Sequence, residues 1–331
     1  MEYRELGGTG LRVSVLGFGC GNVGGLMIRG TPAERERAVA RALELGINYF
    51  DTAPSYGNGQ SEQNLGAALR ALGASVFVGT KFRLEPAEGK DVGGAIARSL
   101  EASLRRLGLE RVDLLQLHNR IGGAAGLAAS DVIDRVAPAL EALRAQGKTR
   151  FWGITALGET EALHRVLDAA PLHTAQICYN LLNPSAGMPV PPSFPAQDFG
   201  RLLDRAGERR VGAIVIRVLA AGALSEAAAR HPIAVPTVEP IATGPDYGSD
   251  ARRARALGAL VSEGHAASLV EASLRFALAS DAVATVLVGY SSLEHLEYAA
   301  ASMTRGPLPA AALERLRSLW QQFGGQPIPP G

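Results

Sequence analysis

Short apolar runs alternate with amphipathic stretches along most of this chain. The runs are Val15–Phe18, Ile47–Phe50, Val76–Gly79, Val112–Leu117, Phe151–Ile154, Ala175–Tyr179, Ala213–Ile216 and Val283–Val288. Each is short and bounded by polar or turn-forming residues, as a buried strand requires. Apolar residues recur at helical spacing between them, over Pro32–Leu45, Glu62–Leu72, Val92–Leu107, Val132–Gln146, Glu159–Ala169, Gln197–Ala206 and Ala266–Ala279. Leu293–Ala301 and Ala310–Phe323 close the chain in the same pattern. Thr31 before Pro32 reads as an N-cap followed by proline at the first helical position. Gly46 and Gly147 mark helix ends. Tyr3–Leu6 and Leu11–Val15 flank Gly7-Gly8-Thr9-Gly10, which predicts a hairpin.

Strands that alternate with helices pair in parallel. Eight of them, with no polar linker between two halves, predict a single closed (β/α)8 barrel, a TIM barrel of the α/β class, over residues 1–331. An N-terminal β-hairpin (3–15) and an additional C-terminal helix (about 310–323) frame it. Leu182–Pro195 and Ala220–Asp250 break the rhythm, follow strands and are rich in Pro, Gly and Ala. In a barrel they are long loops of the C-terminal face, where sites are built.

Composition narrows the function classes. The net charge is +1 and the hydrophobic fraction 47%, so nothing favours a nucleic acid or an anionic membrane as partner. Cys20 and Cys178 are far apart and show no metal-ligand spacing, so no metal site is expected. The first residues lack an apolar signal core, and Arg217 interrupts the longest apolar run, Val211–Leu224. The expectation is a soluble, reduced, cytoplasmic protein. Thirty arginines accompany only three lysines, Lys81, Lys90 and Lys148. A lysine at the end of an apolar strand therefore stands out.

Three strands end on chemistry-bearing residues. Asn48-Tyr49-Phe50 leads to Asp51, Val78-Gly79-Thr80 to Lys81, and Leu115-Gln116-Leu117 to His118. The spacings are close to one βα unit each, so the three side chains are neighbours on one rim. Tyr56 follows Asp51 on a Pro-Ser turn and joins them. An ammonium buried beside a phenol favours the phenolate. A carboxylate offsets the cost of burying that ammonium. An imidazole can orient a carbonyl oxygen. Such a phenol is a general acid for a carbonyl becoming an alkoxide. No residue here supplies a hydride, so a nicotinamide cofactor must.

These segments are where the chain resembles the aldo-keto reductase superfamily. Asp51-Thr52-Ala53-Pro54-Ser55-Tyr56-Gly57, Gly79-Thr80-Lys81, Leu115-Gln116-Leu117-His118 and Leu16-Gly17-Phe18-Gly19 are similar to its signatures, and the likeness runs from about Tyr3 to Ala301. The resemblance implies a barrel that binds NAD(P)(H) at the C-terminal face and interconverts a carbonyl and an alcohol. It assigns Tyr56 as the acid, Asp51 and Lys81 as its tuners, and His118 as the carbonyl's orienter. The alternative it allows is a cofactor-binding, redox-sensing regulatory subunit on the same barrel.

The resemblance also implies cofactor contacts. Gln176 takes the place of the carboxamide ligand. Thr155-Ala156 stands where the family has Ser-Asn, so one contact is lost. The Leu219–Leu224 loop matches a family loop and brings Leu219, Gly222 and Leu224 to the cofactor. Ile216 replaces a stacking aromatic, and Arg217 then points toward the diphosphate. Gly289, Ser291 and His295 lie in the segment similar to the adenosine-phosphate loop, where a helix N-terminus favours anions. Ser292 and Ala299 replace the family's Arg and Asn there. NADP(H) is favoured by the family pattern and NAD(H) is the rival. Gly19-Cys20-Gly21-Asn22-Val23-Gly24 spells a dinucleotide fingerprint, but its helix starts too late and the next strand-end acid, Asp51, is already assigned. It reads as a rim loop whose backbone, from Gly19 onward, approaches the nicotinamide or the substrate. Cys20-Gly21 also replaces a bulky Trp of the family, which implies an open pocket. Phe82, Asn119 and Arg120 directly follow catalytic positions and are expected to line it. The substrate expected is a small carbonyl or alcohol.

Overall fold

The computed structural model describes residues 1–227 and 229–323. Residues 228 and 324–331, which the expected unit of 1–331 includes, lie outside the described residues. Eight parallel strands form a closed barrel: β3 (Leu16–Gly19), β4 (Tyr49–Asp51), β5 (Phe77–Phe82), β6 (Val112–Leu117), β7 (Thr149–Thr155), β8 (Thr174–Cys178), β9 (Gly212–Ile216) and β10 (Val283–Gly289). Strand β10 pairs with both β9 and β3 and closes the ring. Two further strands, β1 (Tyr3–Glu5) and β2 (Arg12–Ser14), make the antiparallel hairpin.

The predicted helices appear in order, and three that were not predicted, Leu26–Arg29, Tyr247–Ala256 and Ala259–Ser262, join them. They are α1 (Leu26–Arg29), α2 (Pro32–Glu44), α3 (Gln60–Ala71), α4 (Val92–Leu107), α5 (Ala129–Asp131), α6 (Ala137–Ala145), α7 (Thr160–Ala169) and α8 (Leu202–Glu208). Then come α9 (Tyr247–Ala256), α10 (Ala259–Ser262), α11 (Leu269–Leu278), α12 (Leu293–Met303) and α13 (Ala310–Phe323). Thr31 caps α2 through a reciprocal pair with Glu34, which fixes its start. The helix expected over Val132–Gln146 is split, because a π-helical turn at Val132–Val136 joins α5 to α6. Helix α9 begins in the stretch expected to be loop and runs past its end at Asp250, held by the buried pair of Asp250 and Arg253. Among the described residues no helix is long and apolar enough to cross a membrane.

Two apolar cores result. Strand pleating sends alternate residues to opposite faces. Phe50, Val78, Leu115, Leu117, Trp152 and Val215 face outward into the helix layer. Tyr49, Leu114, Ile214 and Leu287 face inward, where they meet Leu6, Leu11 and Val13 of the hairpin. The hairpin thus plugs the barrel floor. At the opposite, C-terminal end, α13 docks on the segment after β8, where Trp320 donates to the Leu181 carbonyl at 2.8 Å.

Candidate active site

Strand register assembles the chemistry. In β4, Tyr49 and Asp51 share the inner face; in β5, Gly79 and Lys81 do; in β6, Gln116 precedes His118 on it. Asp51 is level with Gly79, and Lys81 with Gln116. The Lys81 ammonium forms an ion pair with Asp51 Oδ1 and donates to the Thr52 carbonyl at 2.8 Å. It lies 4.8 Å from the centroid of the Tyr56 ring. The His118 ring meets that ring edge-on, with centroids 6.1 Å apart. The four predicted residues therefore converge. Asp51 Oδ2 is held separately, by Gln176 Nε2 at 2.6 Å and the Tyr49 hydroxyl at 3.1 Å.

Burial and charge set the protonation states. Burial disfavours the Lys81 ammonium, but Asp51 and Tyr56 outweigh it and raise the pKa above the ordinary lysine value. His118 is pushed down to about 3, first by burial and then by Lys81 and Arg83. It is a neutral imidazole across the neutral range. Burial, followed by Asp51, pushes the Tyr49 phenol well up, so Tyr49 remains a donor.

The remaining predicted residues divide. Gln176 faces the pocket floor, where its amide donates to Asp51 and its carbonyl accepts from Thr155 Oγ1 at 3.5 Å. Arg217 directly follows β9 with a left-handed backbone, φ 59°. Its guanidinium reaches one acceptor, the Glu239 carbonyl at 3.3 Å. No carboxylate pairs with it among the described residues, and burial lowers its pKa. Leu219, Gly222 and Leu224 lie on a tight turn in which the Leu219 carbonyl accepts from both later residues. Gly19, Gly24 and Gly289 pack backbone on backbone: a Cβ at Gly24 would stand 2.4 Å from the Gly289 carbonyl carbon. The glycines of the apparent fingerprint thus serve a close approach of β3 to β10. Gly21 differs, since a Cβ there would lie 3.6 Å from the Tyr56 ring. The Ser291 hydroxyl donates to the Gly24 carbonyl at 2.7 Å. Ser292 caps α12 by accepting from the His295 N–H, and the His295 ring meets that of His231 at 5.8 Å.

The expected pocket lining needs correction. Phe82 is fully buried and belongs to the outer core; pleating turns it away from the mouth that Lys81 faces. The Asn119 amide closes on the Leu84 backbone, accepting and donating at 2.9 Å, so it packs the loop. Arg120 does line a cavity, of about 610 Å³, with Gly122–Gly126, Glu159 and Gln197, but none of Asp51, Tyr56, Lys81 and His118 lines it. Tyr49 and Gly79 were not singled out. The signal was present: each lies two residues before a catalytic candidate, on the same strand face.

Comparison with known proteins shows the family and the fold of this chain. A model of the aldo/keto reductase family matches residues 15–321. L-galactose dehydrogenase of Arabidopsis thaliana is 32% identical over 317 residues, covering 92% of this chain and 88% of that protein. D-threo-aldose 1-dehydrogenase of a Pseudomonas species is 30% identical over 343 residues, covering 93% and 96%. The holo structure of aldo-keto reductase AKR11C1 from Bacillus halodurans superposes with a TM-score of 0.71 at 27% identity, over 99% of this chain and 98% of that one.

Proposed function

The chain belongs to the aldo/keto reductase family, and from that premise we propose that it interconverts a carbonyl and an alcohol by NAD(P)(H)-dependent hydride transfer, with Tyr56 as general acid and base. The observation that carries this reading is the buried Lys81 ammonium, paired with Asp51 and 4.8 Å from the Tyr56 ring. A positive charge in that position favours negative charge on the phenol oxygen as its proton leaves.

The residues fit a dinucleotide. The Arg217 guanidinium lacks an anionic partner among the described residues, and a diphosphate would supply one. The turn of Leu219, Gly222 and Leu224 lies beside it, and Gly21 keeps the space before Tyr56 open. Thr155 and Gln176 would face the carboxamide, the backbone at Gly19 would approach the nicotinamide, and Gly289, Ser291 and His295 would border the adenosine half. When bound, the nicotinamide gives or takes the hydride. In oxidation the alcohol proton passes to Tyr56; in reduction Tyr56 returns it to the oxygen. Neutral His118 donates its N–H to the same oxygen and keeps one charge state throughout.

L-galactose dehydrogenase and D-threo-aldose 1-dehydrogenase, both matched over more than four-fifths of their length, are named as dehydrogenases of sugars. An aldose oxidised at its first carbon to the lactone is therefore the substrate class we favour, and simple aldehydes serve as separate probes of the reductive activity. The family pattern favours NADP(H). Ser292 offers a hydroxyl, already used as a helix cap, where a 2′-phosphate would need a cation, and this keeps NAD(H) in contention. The test combines steady-state oxidation of aldoses with NAD⁺ or NADP⁺, reduction of an aldehyde panel, and fluorescence titration of NADH and NADPH. Turnover with at least one pair is the expected result. Tight binding without turnover across the panel would sink the enzyme reading and leave a redox-sensing regulatory subunit.

A further inference from the structure

The acid–base reading stops at Asp51, yet that carboxylate has holders of its own. We infer that Tyr49 is a positioning residue: by hydrogen-bonding Asp51 Oδ2, it sets how much of the Lys81 field reaches Tyr56. The inference rests on the proposed role of Tyr56.

Tyr49 is fully buried on the inner face of β4. Its hydroxyl has one partner among the described residues, Asp51 Oδ2 at 3.1 Å. A phenylalanine would fill the same apolar space against Leu114 and Leu287, so packing alone does not call for the oxygen. The neighbouring strand makes room for it. Gly79 lies beside Asp51 in the ladder. A Cβ there would stand 2.6 Å from the Tyr49 hydroxyl and 3.3 Å from Asp51 Oδ2. The glycine and the phenol thus form a matched pair around one carboxylate oxygen.

The electrostatic consequence has a sign. A donor on Oδ2, shared by Tyr49 and Gln176, draws carboxylate charge away from Oδ1. Asp51 then holds the ammonium without cancelling its whole field. The groups facing this cluster are Asp51, Lys81 and Tyr56, the neutral His118, the buried Cys20 thiol, whose pKa burial raises, the guanidinium of Arg217 toward Tyr56 and that of Arg83 toward His118, and the amides of Gln176 and Gln116. Loss of the Tyr49 hydroxyl concentrates charge on Oδ1. The phenolate that alcohol oxidation requires is then less favoured.

Three variants test this: Tyr49→Phe, Gly79→Ala and the double variant. Tyr49→Phe is expected to fold and to bind cofactor within about twofold of the parent. Its rising pH limb for oxidation should move up by about half a unit, a roughly threefold rate loss below the limb. Gly79→Ala displaces the hydroxyl and should move the limb the same way. The double variant should move it no further than either single change, because both act on one contact. It should also recover thermal stability that Gly79→Ala loses, since removing the oxygen relieves the clash. A readout without turnover is the tyrosinate absorbance that disappears in Tyr56→Phe, titrated with and without the Tyr49 hydroxyl; its midpoint should rise in step. An unmoved limb and midpoint in Tyr49→Phe would overturn the inference, as would shifts that simply add. If no substrate turns over, the functional proposal fails, and the absorbance titration still decides the role of Tyr49.

Discussion

The pocket floor and the rim above β9 are built on different principles. On the floor, Tyr49, Asp51, Lys81 and Gln176 sit on regular strands, all at most 3% exposed, each placed by parallel register. On the rim, Arg217, Ala220, Ala221 and Glu226 all have left-handed backbones, with φ between 45° and 59°. Each such non-glycine residue costs about 1–3 kcal/mol of strain. The rim is held by side chains reaching carbonyls: Asn180 to Arg217 at 2.9 Å, and Arg230 to Ala221 at 2.7 Å. Of the departures from the family pattern, Ile216, Arg217 and Ser292 fall outside the floor, whereas Thr155 touches it through Gln176. On the proposed reading, the strand lattice carries the proton chemistry and the loops carry cofactor recognition. Floor variants should therefore change rate, and rim variants affinity.

The largest expected effect comes from Tyr56→Phe. It keeps the ring and removes the proton. The kcat should fall about 10²–10⁴-fold, while the cofactor Kd from fluorescence titration stays within about twofold. A near-parental kcat would dislodge Tyr56 from the acid role and blur the division between floor and rim.

The ion pair offers the next test. Lys81→Met leaves the Asp51 carboxylate buried without its cation, which costs about 3–5 kcal/mol of stability. Adding Asp51→Asn removes the stranded charge and should recover most of that loss, although activity stays low. Guanidinium unfolding of the two variants measures the difference. A Lys81→Met cost below about 1 kcal/mol would mean that the pair resembles a surface contact rather than a buried one.

The same division explains what the sequence made readable. Eight apolar runs between helical stretches predicted the barrel, because a parallel strand buried on both faces reads as an apolar run. Asp51, Lys81 and His118 were legible because a period of two and a spacing of one βα unit place them on a common rim. Tyr49 and Gly79 follow from the same periodicity, but their contact depends on a clearance of ångströms that no pattern displays. Phe82 was misplaced because adjacency to Lys81 suggested a shared pocket, although adjacent residues on a strand face opposite ways. Helix α9, whose start lies in the Ala220–Asp250 stretch read as loop, went unpredicted because its three arginines leave little apolar periodicity; the Asp250–Arg253 pair that stabilises it is visible only after folding. The left-handed run after β9 contains Ala and Arg where glycine would advertise such a turn, so its shape was hidden.

The smallest expected effect isolates the rim. Arg217→Asn removes the guanidinium while keeping a residue that tolerates φ 59°. The backbone carbonyl of residue 217 can still accept from Asn180, so the turn is preserved. Stability should change by less than about 0.5 kcal/mol. The cofactor Kd should rise about tenfold, the scale of one charge-assisted hydrogen bond lost to a diphosphate. Because the guanidinium lies above the floor, kcat at saturating cofactor should hold. Salt gives a second reading: raising ionic strength should weaken cofactor binding in the parent more than in Arg217→Asn. A variant that loses kcat and leaves Kd unmoved would place Arg217 in the chemistry, and the rim could no longer be treated as a separate binding layer.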